Sequence, residues 1–266
     1  MKKPAMYWDA PWSLVEGCKP CSPGCDHCWS SNMVYRLKKE TDPPPDYIDS
    51  KGAYNDVVRF RADRLDIPWR RKKPTIYAVW TDLFHEAVSD EDIYSAFEEM
   101  FHCPQHTFLL LTKRAERMME LSQHIDPVCG NLWFGVTACN QAEADQKIPL
   151  LLQTHAVRRY VSFEPGLGAI DFTAVRYAED DAQWCVNTLT AEAWCENSDS
   201  PSAYCTAADG VNKLDLVICG PETGIGRRPF DPAWASSLAA ECKAAGVPFF
   251  YKGDGLDLPR ELPWRK

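Results

Sequence analysis

The sequence predicts an α/β fold in which about six to seven βα units form a full or partial (β/α) barrel of the TIM type. Short apolar segments alternate with amphipathic segments of helical length, a pattern typical of right-handed βαβ units around a parallel sheet. The chain has 266 residues, 45% of them hydrophobic, which is enough to bury the core of one such domain. We therefore expect a single domain over 1–266. A doubly wound sheet is the alternative that the pattern leaves open.

The predicted strands and helices follow one another in order. A short strand ends the aromatic-rich segment 1–16, and a helix covers 29–39 before the segment 41–45 breaks it. Buried strands are then predicted at 75–80, 106–111, 131–136, 159–163, 214–219 and 247–251. Helices are predicted between them at 90–101, with Ser89 or Asp90 as its cap, and at 115–124, 142–153 and 232–245.

A long insertion separates the fifth and sixth predicted strands. It spans 171–213, is polar and poor in aliphatic residues, and is expected to be irregular. Cys185, Cys195 and Cys205 are evenly spaced within it. Three widely spaced cysteines without a fourth ligand are a weak indication of a metal site, so we interpret them as unligated thiols.

A loop near the start of the chain contains four of the twelve cysteines: Cys18, Cys21, Cys25 and Cys28. Prolines and glycines around them disfavour a helix or a central strand. The sequence shows no signal peptide and no apolar segment of membrane-spanning length, so we expect a cytoplasmic protein without a membrane partner. Clustered cysteines in the cytoplasm are more often metal ligands than disulfides.

The spacing of these cysteines favours an iron–sulfur cluster over zinc. Zinc prefers two separated ligand pairs, and the second pair is missing. The spacing Cys21-x3-Cys25-x2-Cys28 resembles that of the radical S-adenosylmethionine (SAM) enzymes. In those enzymes three thiolates hold a [4Fe–4S] cluster, and its open iron binds SAM, which is cleaved to a 5′-deoxyadenosyl radical. Cys18 with Cys25 and Cys28 is a second candidate set of three ligands.

Polar residues or glycine follow the predicted strands, at the end where barrels build their active sites. A cluster-bound SAM would need carboxylate, amide and hydroxyl partners at this end, with glycine where the backbone passes close to adenine. The residues we expect to bind the cofactor are Asp82, His85, Thr112, Thr137, Asn140, Glu164 and Gly220. The residues we expect to act in catalysis are Glu164, Lys113, Glu222 and Lys252.

Several segments resemble the phage Gp37/Gp68 family, a family of three-cysteine-motif domains of unknown function that is similar to radical SAM proteins. The likeness runs from about Trp12 to Lys252 and omits 171–213. It is carried by 17–18, 22–28, 82–86, 104–108, 111–114, 116–118, 148–151, 162–165, 224 with 228–229, and 245–252. The resemblance implies Cys18, Cys25 and Cys28 as the ligands, whereas the general spacing favours Cys21 over Cys18. The chain departs from the family at 219–222, which reads Cys-Gly-Pro-Glu where relatives tend to read Gly-Gly-Glu.

The resemblance also implies a substrate and partners. A phage relative suggests isomerisation or remodelling of a modified base, such as a hypermodified thymine in phage DNA, inside a bacterium or a phage-infected host. An electron donor such as flavodoxin or ferredoxin would reduce the cluster. The basic stretch 59–73, together with Lys113, Arg114, Arg227 and Arg228, would suit a phosphate-bearing substrate. The net charge of −9 nevertheless argues against bulk nucleic-acid binding.

Two other classes of function remain open. In one, the cysteine loop is a structural zinc site and the chain is a binding or scaffold module. In the other, the protein is an acid–base hydrolase or lyase without a cluster, using Glu164, Glu222 and His85.

Overall fold

The framework of the protein is a mixed α/β fold around a parallel sheet. The computed structural model describes residues 6–37, 41, 45–125, 130–179, 182–196, 204–206, 210–224 and 226–265. Its strands are β1 (Ala10–Trp12), β2 (Val15–Glu16), β3 (Arg59–Phe60), β4 (Ile76–Val79), β5 (Thr107–Thr112), β6 (Leu132–Thr137), β7 (Arg158–Phe163), β8 (Val175–Glu179), β9 (Ala182–Asn187), β10 (Glu192–Cys195), β11 (Tyr204–Cys205), β12 (Leu216–Cys219) and β13 (Phe249–Tyr251). Its α-helices are α1 (Trp29–Leu37), α2 (Asp90–His102), α3 (Ala115–Ser122), α4 (Gln141–Gln153) and α5 (Pro232–Ala245).

Seven strands form a parallel half-barrel. They lie in the order β1-β4-β5-β6-β7-β12-β13, and neighbouring strands are parallel. The order follows the chain without a reversal, which distinguishes this sheet from a doubly wound one. The prediction of an α/β fold around a parallel sheet is therefore confirmed at the level of a half-barrel with seven strands.

The two faces of the sheet bury different sets of side chains because strand residues alternate between faces. Tyr77 and Phe108 belong to the large cluster that includes the buried residues of the helices. Leu109, Trp133 and Tyr160 belong to a second cluster on the concave face, which also contains Tyr7, Leu216, Ile218, Phe250 and Leu262. Residues near both ends of the described chain, Tyr7 and Leu262, thus pack against the concave face.

The helices begin where their sequences supply a cap. Ser89 accepts a hydrogen bond from the backbone N–H of Asp92 (3.2 Å), and Asn140 accepts one from that of Glu143 (3.0 Å). Asp231 caps α5 in the same way, at 2.8 Å from the N–H of Ala233. These caps fix the loops that carry the chain from the carboxyl end of each strand into the next helix.

The insertion between β7 and β12 is the main correction to the predicted fold. We expected 171–213 to be irregular, but β8, β9, β10 and β11 form a four-stranded antiparallel sheet. Its three cysteines do not share one face: Cys185 lies opposite Trp194, whereas Cys205 lies opposite Ala193, the next residue along β10. The three thiols therefore cannot ligate one metal ion together. This placement agrees with their interpretation as unligated thiols.

Among the helices of the described residues, none combines the length and the apolar character needed to cross a membrane.

Candidate functional site

The cysteine loop lies across the carboxyl end of the half-barrel. It leaves β2 at Gly17, whose φ of +81° and whose approach to the carbonyl oxygen of Val57 leave no room for a side chain. A short 3₁₀ turn (Pro23–Cys25) follows, capped by Ser22, which accepts a hydrogen bond from the N–H of Gly24 at 3.1 Å. The loop then runs directly into α1 after Cys28, so its end is fixed by a helix.

The loop cysteines lie close enough to influence each other's charge. The Cys21 thiol forms a hydrogen bond with Cys25, and this bond is the main reason that the pKa of Cys25 is lowered to about 5 and that of Cys21 is raised. Burial raises the pKa of Cys18 to about 11, with smaller contributions from Asp82, Cys25 and Cys28. All four thiols are free, and Cys21 is the exposed one. The loop therefore offers Cys25 as a thiolate beside three further free cysteines.

A metal cluster and a single metal ion make different demands on such a loop. In the described ranges, no three Asp, Cys, Glu or His side chains converge on a point where one metal ion could bind. A [4Fe–4S] cluster needs thiolates at separate corners, each on a different iron. The electrostatic neighbours of Cys18 include both Cys25 and Cys28. Three cysteines on one loop match the number and type of donors that such a cluster uses.

Arg114 connects the start of the loop to β4 and β5. Its guanidinium donates to Asp82 Oδ2 (2.8 Å), to Glu86 Oε1 (2.8 Å) and to the carbonyl oxygen of Lys19 (3.2 Å). Asp82 also accepts hydrogen bonds from the Thr112 hydroxyl (2.6 Å) and a backbone N–H. Asp82 and Arg114 are both buried. Asp82 and Thr112, which we expected to bind the cofactor, are thus occupied in holding Arg114 and the loop.

Arg228 connects the other end of the loop to the residues after β12. It forms an ion pair with Glu222 through both carboxylate oxygens, and its backbone N–H donates to the same carboxylate at 2.8 Å. The guanidinium also donates to the carbonyl oxygen of Pro23 (2.9 Å) and to Asp26 Oδ2 (3.2 Å). Burial would raise the pKa of Glu222, but Arg228 outweighs burial and the pKa is lowered. Glu222 is therefore a charged anchor for Arg228, and its catalytic role stays a prediction.

A third contact with the loop comes from the end of β6, where Cys139 lies next to Gly24. Cys139 is buried, and its backbone N–H donates to Glu143 Oε2 (2.9 Å). Lys147 donates to the other oxygen of Glu143 (2.5 Å) and to the carbonyl oxygen of Thr137 (3.2 Å). Thr137 is buried and Asn140 caps α4. These two predicted cofactor residues therefore shape the edge against which the loop packs.

Replacing Gly24 with alanine is expected to displace the loop. A Cβ atom built at Gly24 would lie 2.6 Å from Cys139 Sγ, well inside van der Waals contact. Overpacking of this kind costs about 1–3 kcal/mol. The expected result is a lower midpoint of denaturant-induced unfolding for Gly24→Ala. The double variant Gly24→Ala/Cys139→Ala should recover most of this loss because it removes the clashing sulfur; no recovery would show that Cys139 is not the obstacle.

Glu164, Gly220 and Lys252 come together at the ends of β7, β12 and β13. Lys252 Nζ lies 2.6 Å from Glu164 Oε1, and both side chains are only partly buried. Gly220 lies between them: a Cβ there would be 3.2 Å from Lys252 Cβ and 3.6 Å from Glu164 Cδ. Lys252 Nζ also lies 5.9 Å from the centre of the Tyr7 ring on the concave face. The structure thus brings three predicted site residues into one polar group.

His85 and Lys113 occupy different environments. His85 is buried, its Nδ1 accepts a hydrogen bond from the N–H of Ala87 (3.1 Å), and its Nε2 has no partner within the described residues. Burial is the main reason that the pKa of His85 is lowered, so its ring is neutral. Lys113 is half-buried, and its backbone N–H lies 3.4 Å from Asp82 Oδ2. The cofactor role predicted for His85 and the catalytic role predicted for Lys113 both stay predictions.

The basic stretch 59–73 is largely neutralised. Arg59 pairs with Asp46, and Arg61 and Arg64 both pair with Glu16. The end of the stretch precedes β4 and therefore lies at the amino end of the sheet, opposite the cysteine loop. The stretch consequently supplies little free positive charge at the candidate site.

Sequence reasoning missed the two arginine contacts and Cys139. The sequence predicts that Arg114 and Arg228 contact a phosphate-bearing substrate, yet both guanidinium groups are paired with buried carboxylates. These pairs could have been anticipated because a buried carboxylate needs a cation. Arg228 follows Glu222 closely in the chain, and Arg114 follows the strand next to the one that precedes Asp82. Nothing in the sequence marked Cys139 as a neighbour of Gly24.

Together the fold and the site define a class: a parallel α/β half-barrel with a four-cysteine loop held over the carboxyl ends of its strands. The chain belongs to the family described as "Protein of unknown function (DUF5131)", which matches residues 3–261. The searches of curated proteins and of solved structures found no match.

Proposed function

We propose that this protein is a radical SAM enzyme whose cysteine loop holds a [4Fe–4S] cluster. When bound, the cluster and SAM supply a 5′-deoxyadenosyl radical that abstracts hydrogen from the substrate. The main support for this proposal is that Cys18, Cys25 and Cys28 lie on one loop, which is fixed over the carboxyl end of a parallel half-barrel. In TIM-type barrels that end carries the active site, and we propose that the half-barrel is a partial barrel of this type.

Cys18 is the third ligand that we propose. It interacts electrostatically with both Cys25 and Cys28, and it is partly buried. Cys21 is exposed and hydrogen-bonded to Cys25. The resemblance to the phage Gp37/Gp68 family supports the same choice.

The residues of this chain would orient SAM from the concave face. The Glu164–Lys252 pair presents an acceptor and a donor side by side, which suits the ammonium and carboxylate groups of an amino acid. Gly220 leaves space between them. Asp82, Thr112, Thr137 and Asn140 act by holding the surrounding backbone, and His85 remains a candidate through its unpartnered Nε2.

The substrate that we propose is a modified nucleobase, such as a hypermodified thymine of phage DNA, which the enzyme would isomerise or remodel. The family resemblance supports this choice, and so does Trp29, which follows Cys28 and is 46% exposed. Its ring meets that of Trp80 edge-on at 5.1 Å, and a partly exposed indole of this kind suits stacking on a base. A flavodoxin or ferredoxin would supply the electron.

Anaerobic purification with iron and sulfide analysis tests the proposal directly. We expect about four irons per chain, a brown protein, and 5′-deoxyadenosine when SAM and a reductant are added. A colourless protein that contains zinc would overturn the proposal and favour the scaffold alternative. A cluster that binds SAM without releasing 5′-deoxyadenosine would overturn the radical step alone.

A further inference from the structure

Lys113 is placed beside the cysteine loop by strand β5. Leu109 and Leu111 contribute to the concave cluster, while Leu110 belongs to the helix-facing cluster. Lys113 is two residues after Leu111 and directly follows the last residue of β5. By the alternation of strand residues it is therefore on the same face as Leu109 and Leu111, the concave face. Its backbone is fixed there by the contact of its N–H with Asp82 Oδ2 at 3.4 Å.

The ammonium group of Lys113 has no hydrogen bond or ion pair with any described residue. Its neighbour Arg114, in contrast, is paired with Asp82 and Glu86. The electrostatic neighbours of Lys113 are Cys25, Cys139, Cys28 and Asp82. A half-buried ammonium group without a direct partner therefore lies within electrostatic range of two of the loop cysteines and of Cys139.

We propose that Lys113 is a positioning residue that raises the reduction potential of a cluster held by the cysteine loop. This inference rests on the proposed function. Reduction adds one electron from an external reductant to the cluster, and no bond forms or breaks in that step. The reduced cluster carries one more negative charge, which a nearby ammonium stabilises more strongly than it stabilises the oxidised cluster. Lys113 would thus act through the cluster and need not touch the substrate.

The test is a redox titration of the reconstituted protein, followed by electron paramagnetic resonance of the reduced cluster. Lys113→Met keeps the length of the side chain and removes its charge, so we expect a more negative midpoint potential. Lys113→Arg keeps the charge and should stay close to the original protein. Lys72→Met removes the same charge from an exposed position before β4, at the opposite end of the sheet, and should leave the potential unchanged.

Each outcome decides a different point. An unchanged potential in a Lys113→Met protein with full iron content overturns the inference while the proposed function stands. Equal shifts in the Met and Arg variants would also overturn it, because packing or solvent access would then be the cause. If Lys113→Met fails to fold, Lys113→Gln provides the same charge removal in a polar side chain. Failure of the original chain to bind any cluster overturns the proposed function and this inference together.

Discussion

Replacing Cys25 with alanine is expected to abolish cluster binding and, with it, the formation of 5′-deoxyadenosine. Cys25 belongs to both candidate sets of ligands, and it is the loop cysteine whose pKa is lowered to about 5, mainly by the hydrogen bond from Cys21. A thiolate is the form that binds iron, so its loss removes a ligand that is already in the binding form. Iron content should fall from about four per chain to background. Iron analysis and product chromatography measure both effects.

Cys18 and Cys21 form a matched pair that makes the same experiment sharper. We expect Cys18→Ala to lose the cluster and Cys21→Ala to retain it, because Cys18 neighbours both other ligands and Cys21 is exposed. The opposite result would move the third ligand to Cys21. Cys195→Ala, in the antiparallel sheet, controls for the general effect of removing a thiol and should leave the iron content unchanged.

The regular part of the fold was predictable because its signals are local. The predicted helix at 232–245 coincides with α5, and the predicted strand at 106–111 is one residue from β5. Each such segment has its own apolar periodicity, and Pro232 and Gly246 mark both ends of α5. Parallel strands then follow from the alternation of strands and helices.

The antiparallel sheet of the insertion was not predictable in the same way. One face of this sheet is polar, as Glu192 opposite Asn187 illustrates. Pairing of β10 with β9 and β11 depends on which segments meet, and local composition does not specify this. The polar composition of 171–213 therefore suggested a loop where a small sheet exists.

In the candidate site, too, local features were predictable and long-range contacts were not. The sequence placed Asp82, Thr112 and Glu222 at the carboxyl ends of strands, and the structure confirms that placement. It could not show that Arg228 would reach Pro23, since these residues are 205 positions apart in the chain. A polar residue at a strand end can bind a cofactor or hold the backbone, and only its partners distinguish the two roles.

Replacing Arg114 with methionine is expected to destabilise the protein by roughly 3–5 kcal/mol, the usual loss when one member of a buried ion pair is removed. The side chains of Asp82 and Arg114 are 10% and 7% exposed, so the remaining carboxylate would have little access to water. The denaturant midpoint should therefore fall strongly. Arg70→Met is the control: its pair with Asp66 is exposed, and such pairs contribute about 0–1 kcal/mol.

The ion pair also predicts an effect on the loop that stability alone would not produce. Without Arg114 the carbonyl oxygen of Lys19 loses its donor, so the start of the cysteine loop is held less firmly. Iron content should then fall even under conditions where Arg114→Met remains folded. Adding Asp82→Asn should recover part of the stability, because no unpaired charge is left buried, but it should not recover the iron content. If iron binding returns together with stability, Arg114 supports only the fold, and its contact with Lys19 has no role in holding the cysteines.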